Sequence, residues 1–98
     1  MEIADETIEI LLKIREKITD SSDMDWTSYG TPQELRQEID GFIARLREGR
    51  VETLGDIDSH FLPTATFQEH SLQNGWSEEY HAMAARFDKI YGHLKKSD

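Results

Sequence analysis

The sequence predicts an all-α fold, an irregular bundle of three long and about two short helices, and three observations support this. Apolar residues recur at intervals of three and four along most of the chain, which is the spacing of one helix face. Residues typical of helix starts and stops separate these apolar stretches. No alternating run of β-branched residues occurs, so no strand is predicted.

The first helix is predicted over residues 2–21. Its apolar face consists of Ile3, Leu11, Ile14 and Ile18. Acidic residues dominate its first turns and basic residues follow later, an order that suits the helix dipole. Glu9 and Lys13 are four residues apart and form a favourable pair on the helix surface.

The second helix has the clearest start signal in the chain. Thr31, Pro32 and Glu34 provide a capping threonine, a proline at the first helical position and a capping-box glutamate. Its apolar face then continues to Gly49 through Leu35, Ile39, Phe42, Ile43 and Leu46. Gly41 interrupts this helix, which indicates a close approach of another helix or a tolerated cost of about 1 kcal/mol.

Three further helices are predicted over residues 51–61, 66–73 and 77–95. Thr66 and Glu69 have the spacing of a capping box, and Ser77 is expected to cap the last helix. Between them, Asn74 and Gly75 are typical of a left-handed helix stop. No long helix can bury its apolar face alone, so we expect all of them to pack into one domain over residues 1–98.

The chain is strongly acidic, with 20 acidic and 11 basic residues and a formal charge of −9. Nucleic-acid binding depends on a basic surface that displaces counterions, so nucleic-acid and anionic-membrane partners are not expected. Residues 1–31 contain eight acids and three bases, so the negative field should be strongest over the first two helices. Such a field serves solubility, or it steers a partner protein with a basic surface.

The sequence contains no cysteine, which excludes disulfides, thiolate metal sites and cysteine nucleophiles. It shows no signal-peptide pattern at its start and no apolar run of membrane-spanning length. We therefore expect a cytoplasmic protein.

No metal or other cofactor is predicted. The loop from Asp23 to Glu34 has some carboxylates at EF-hand positions, but Ser28 stands where that loop needs glycine. No two of the four histidines are four residues apart, the spacing that would bring two imidazoles to one helix face. Asp58, Ser59 and His60 are consecutive, and consecutive helical residues point about 100° apart, so they do not form a hydrolytic triad.

Large aromatic residues outside the apolar stripes are the main candidates for binding. Trp26 and Tyr29 lie between two helices, and Trp76 precedes the last one. Such residues are lids over the ends of the core or exposed anchors for a partner. The predicted partner-binding residues are Asp23, Asp25, Trp26, Tyr29 and Glu34.

These features favour a small acidic, non-catalytic interaction module of bacterial style, whose partner is a protein with a basic surface. One form of such a module is an inhibitor or immunity-type protein that covers a basic site. The alternative is a small-molecule-binding protein or enzyme subunit with a pocket lined by Gln68, Glu69, His70, Asn74 and Trp76. Helix capping and closure of the core account for the same residues without a pocket.

Overall fold

The structure is a computed structural model that describes residues 2–20, 30–50, 52–61 and 66–96. These ranges contain five helices: α1 (Glu2–Lys17), α2 (Pro32–Arg47), α3 (Thr53–His60), α4 (Thr66–Asn74) and α5 (Ser77–Lys96). No strand occurs within them. The all-α prediction is therefore confirmed, with three long and two short helices.

The five helices form a closed ring of contacts. Each helix packs against the next along the chain, and α1 also packs against α5. Ion pairs join Arg15 to Asp40 and Asp20 to Arg36, so α1 and α2 run antiparallel. Two more pairs, Glu9–Arg86 and Lys17–Glu79, show that α1 is antiparallel to α5 as well.

The core lies inside this ring and receives side chains from every helix. Its completely buried members include Ile10, Leu11, Ile14, Leu35, Ile39, Ile57, Phe67 and Phe87. Phe61, just after α3, contacts the rings of Phe67 and Phe87 at centroid distances of 5.1 and 4.8 Å. Aromatic contacts thus join the end of α3 to α4 and α5.

The first helix is shorter than predicted, because α1 ends at Lys17 rather than near residue 21. The carbonyl of Ile18 accepts a 3.0 Å hydrogen bond from the Arg36 guanidinium on α2. The Asp20 carboxylate binds the same guanidinium and, at 3.1 Å, the Gln33 amide. Tertiary hydrogen bonds therefore replace the next turn of helix, although Ile18 stays buried.

The start of α2 differs from a standard capping box by one residue. Thr31 has extended backbone angles, and its Oγ1 accepts the Glu34 backbone N–H at 3.2 Å, as predicted. The Glu34 carboxylate accepts the N–H of Gly30 at 3.2 Å, whereas a standard box uses the N–H of the capping residue itself. The reciprocal bond therefore orders the residue before the cap.

Replacing Thr31 with alanine should lower the free energy of unfolding by about 0.5–2 kcal/mol, since it removes the acceptor for the Glu34 N–H. Urea unfolding measures the change. Thr31→Ser is the matched control, because serine retains the hydroxyl and should unfold close to the native chain. Equal destabilisation by serine and alanine would show that the hydroxyl bond is unimportant.

Gly41 does not mark a close approach of two helices. A Cβ placed there would meet only the Arg45 guanidinium, at an ordinary contact distance of 3.7 Å. The close-approach interpretation is therefore wrong, and the glycine is simply tolerated on a half-buried face of α2.

Gly41→Ala should raise the free energy of unfolding by about 1 kcal/mol, since alanine has the higher helix propensity. Gly49→Ala is the control of opposite sign. Gly49 has φ +82 and ends α2 with two hydrogen bonds of 3.0 Å, from Gly49 N–H to Leu46 and from Arg50 N–H to Arg45. Alanine is strained in this conformation, so the variant should be less stable. Denaturant unfolding of both variants measures these changes. A Gly41→Ala protein that is less stable than the native chain would contradict the prediction.

Candidate functional site

Four of the five predicted partner-binding residues fall outside the ranges that the structure describes. Asp23, Asp25, Trp26 and Tyr29 lie outside the described residues. Glu34 is described and exposed at the start of α2, where its carboxylate holds the Gly30 N–H. The structure thus gives Glu34 a local capping role and leaves the partner-binding role of all five as a prediction.

Ion pairs within the protein involve most of the described basic side chains. Six of them pair with acids: Lys13, Arg15, Lys17, Arg36, Arg50 and Arg86. A seventh, Arg45, lies over the Phe42 ring at 5.3 Å. The positive charge of these residues is therefore largely balanced inside the molecule.

Acidic side chains remain in excess on the surface. Eight exposed acids have no ion pair among the described residues: Asp5, Glu6, Glu16, Glu34, Glu52, Asp56, Glu78 and Asp88. Four of the eight belong to the first 49 residues and four to the second half, so exposed acids without an ion pair remain on both halves of the chain after internal pairing.

One exposed strip of α1 combines acids with an apolar residue. Asp5, Glu9, Leu12 and Glu16 recur at the spacing of one helix face, and all are exposed. Leu12 is 43% exposed. Glu9 is bound by Lys13 and Arg86, and the Arg86 hydrogen bond and charge lower the pKa of the Glu9 carboxyl. We call these four residues the α1 strip.

A second candidate is the corner between α4 and α5. Gly75 has φ +79, and the backbone N–H of Trp76 donates a 2.9 Å hydrogen bond to the Ser71 carbonyl. The predicted left-handed stop is therefore confirmed. Trp76, rather than Ser77, supplies the carbonyl that accepts the Tyr80 N–H at 2.9 Å. The predicted Ser77 cap is therefore wrong by one residue, because Ser77 is already the first residue of α5.

Buried aromatic and imidazole rings fill this corner. Trp76 is 5% exposed and His70 is completely buried. The indole Nε1–H donates a 3.0 Å hydrogen bond to His70 Nδ1, and the two rings meet edge to face at 5.6 Å. Trp76 also meets the ring of Tyr80 edge to face, at 6.2 Å. Trp76 is thus a lid over the core, one of the two roles weighed for it.

Tyr80 joins the corner to the end of α3. Its hydroxyl donates a 3.1 Å hydrogen bond to the Phe61 carbonyl. Burial, with a smaller contribution from Asp88, raises the pKa of Tyr80 to about 12. The phenol therefore stays protonated as a hydrogen-bond donor at neutral pH.

Two of the side chains predicted to line a pocket at this corner, His70 and Asn74, form hydrogen bonds within the protein itself. His70 Nδ1 is used by Trp76, and the Asn74 side-chain amide donates to the His70 carbonyl at 2.9 Å. Gln68 and Glu69 are half-buried, and the Gln68 carbonyl accepts the Ser71 hydroxyl at 2.7 Å. These bonds stabilise the turn between α4 and α5.

A groove of about 390 Å³ lies elsewhere, along the outer edge of the α1–α5 contact. Met83 and Ala82 provide its apolar part, and the charged residues at its sides are Lys13, Glu16, Lys17 and Glu79. Lys17 and Glu79 form an ion pair with each other. Opposite charges therefore balance within the groove, which gives it no preference for an anion or a cation.

Ser59 and His60 do not form an activated nucleophile. The Ser59 hydroxyl donates to the Asp56 carbonyl at 2.6 Å. His60 Nδ1 lies 3.1 Å from that same carbonyl and 3.4 Å from Ser59 Oγ. A nitrogen that donates to a carbonyl carries a proton and cannot accept one from serine. The His60 ring instead packs against Phe42 and Phe67.

Among residues 2–20, 30–50, 52–61 and 66–96, no three histidine, aspartate or glutamate side chains come together as a metal-binding group. In the same ranges, no helix has both the length and the apolar character needed to cross a membrane. No protein-family model, no curated protein and no solved structure matches this chain.

Proposed function

We propose that this protein is a small acidic, non-catalytic interaction module that binds a partner protein with a basic surface. Its task would be that of an inhibitor or immunity-type protein, which covers a basic site on its partner. A cytoplasmic location remains a prediction from composition. The observation that carries the proposal is the surplus of exposed acids left over when the basic side chains are paired internally.

Internal pairing matters because it leaves the acids to set the field outside the protein. Six described basic side chains are held by carboxylates at 2.5–3.6 Å. The eight exposed acids without such a pair among the described residues project negative charge into solvent. A field of one sign speeds the encounter with a partner of opposite charge by about 10- to 1000-fold.

The α1 strip is the described surface that fits such a partner best. Asp5 and Glu16 have no ion pair among the described residues, and Leu12 lies between them along the helix. Charged residues around an apolar contact resemble the rim and centre of a protein interface. The predicted contribution of Asp23, Asp25, Trp26, Tyr29 and Glu34 belongs to the same proposal.

Affinity capture from an extract of the source cells tests the proposal, with captured proteins identified by mass spectrometry. The native chain should retain a basic protein at about 50 mM salt and lose most of it at about 500 mM, since salt screens exposed charges. The variant Asp5→Lys with Glu16→Lys should retain much less of it.

The matched control is Glu78→Lys with Asp88→Lys, which changes the net charge equally. Both pairs consist of exposed acids without ion pairs among the described residues, and each includes one residue near the start of its helix. The control should retain the partner nearly as well as the native chain. Equal loss in both variants would mean that net charge alone, without a contact surface, accounts for the capture.

A further inference from the structure

His70 occupies an unusual position for a titratable group. It is completely buried in α4, and Nδ1 accepts the Trp76 indole N–H at 3.0 Å. A neutral imidazole with an acceptor at Nδ1 carries its proton on Nε2. That Nε2 is buried without a hydrogen-bond partner among the described residues. The ring is therefore held in one tautomer by a single hydrogen bond from Trp76, the residue before α5.

Protonation is incompatible with this arrangement. A second proton would have to bind at Nδ1, where the indole already presents a hydrogen-bond donor. Two donors facing each other at this distance repel, and the imidazolium charge would be buried without a counter-ion. The corner can therefore accept the proton only if Trp76 and His70 separate.

The other titratable groups around this corner do not offset the charge. On α5, the pKa of Tyr80 is raised to about 12, so its phenol is neutral, and the Asp88 charge contributes to that rise in pKa. His81 packs against Tyr80 and is exposed. On α3, His60 lies against Phe67, and Glu69 precedes His70 on α4 itself. Burial alone lowers the pKa of His70 from its ordinary 6.5, with no contribution from a neighbouring charge.

We propose that the His70–Trp76 pair is an acid-sensitive joint between α4 and α5, in which proton uptake by His70 breaks the indole–imidazole hydrogen bond and opens the corner. Above pH 6.5 the imidazole is neutral whether the joint is open or closed, so the joint has its full stability. Below pH 6.5 His70 binds a proton in the open form, whereas in the closed form it stays neutral. The ratio of open to closed forms then rises by up to about tenfold per pH unit, until the lowered pKa of the closed form is reached.

Hydrogen exchange of the Trp76 indole N–H, followed by NMR, tests this proposal. After correction for the intrinsic exchange rate, exchange should be about tenfold faster at pH 5.5 than at pH 7.5. His70→Asn retains an acceptor near the indole but does not titrate, so its corrected rate should be the same at both pH values. His81→Gln replaces an exposed histidine and should respond to pH as the native chain does.

A pH-independent exchange rate in the native chain would overturn the proposal, and so would an equal acid response in His70→Asn. Nitrogen chemical shifts of the native His70 ring provide a second readout that does not depend on any variant. They should report the neutral tautomer with its proton on Nε2 at pH 6. A ring that becomes charged near pH 6.5 while the indole hydrogen bond persists would refute the joint.

Discussion

Replacing Trp76 with alanine should lower the free energy of unfolding by about 3–5 kcal/mol, as expected for a large core aromatic. The indole is 5% exposed and packs against His70 and Tyr80. Its removal leaves a cavity and also deprives His70 Nδ1 of its hydrogen bond. Because the free energy of unfolding of small domains is about 5–15 kcal/mol, this single change should remove a large part of it. Urea unfolding monitored by circular dichroism measures the loss.

Leu72→Ala is the matched control for this prediction. Leu72 is a large apolar residue near the same corner, but it is 49% exposed, so its truncation should change stability by less than about 1 kcal/mol. Similar effects of the two substitutions would contradict the role of Trp76 as a lid. Trp76→Phe retains a ring without the N–H donor and should have an intermediate effect.

Replacing Trp26 with alanine should have its largest effect on partner binding. If Trp26 anchors the partner, the substitution should speed dissociation about 30-fold or more, since truncation of a hot spot costs at least about 2 kcal/mol. Its effect on stability should then be small. If Trp26 is a lid instead, the fold should lose about 3–5 kcal/mol. Stopped-flow or surface-plasmon dissociation rates, together with urea unfolding, separate the two roles.

The control for Trp26 is Trp76→Phe, which alters the other tryptophan of the chain. It should reduce stability without changing the dissociation rate, because Trp76 is buried at the corner. A Trp26→Ala protein that is less stable and yet releases the partner at the native rate would refute the anchor hypothesis.

Local signals in the sequence predicted the helices well where the relevant interactions are themselves local. The cap at Thr31 and the left-handed stop at Gly75 involve residues within a few positions of each other. The end of α1 was missed because it depends on Arg36, which is distant in sequence and binds the Ile18 carbonyl. Tertiary contacts of this kind leave no periodic pattern.

The corner between α4 and α5 was predicted only in part. The composition around Gln68, Glu69 and His70 indicated a pocket or a capped turn, and the residue types alone did not distinguish them. The distinction depends on the Trp76 indole, whose bond to His70 spans a helix stop. An apolar stripe reports which residues are buried, but it does not report which polar atoms meet inside.

The surface was predicted least well, because internal ion pairs depend on how the helices lie together. Net charge showed that acids exceed bases, and the structure adds which bases are neutralised by Asp40, Glu9 and Glu79. The α1 strip can be recognised only once these ion pairs are known, since Asp5 and Glu16 take part in none of them.

The most direct test of the proposed function is the salt dependence of the association rate constant between the native chain and its captured partner. We expect this rate constant to fall at least tenfold between about 50 and 500 mM salt, because exposed charges are screened beyond about 8–10 Å at physiological ionic strength. Asp23→Lys with Asp25→Lys should slow association at low salt and flatten this dependence. A rate constant that is independent of salt and equal in the native and reversed chains would contradict recognition of a basic partner by the acidic N-terminal half.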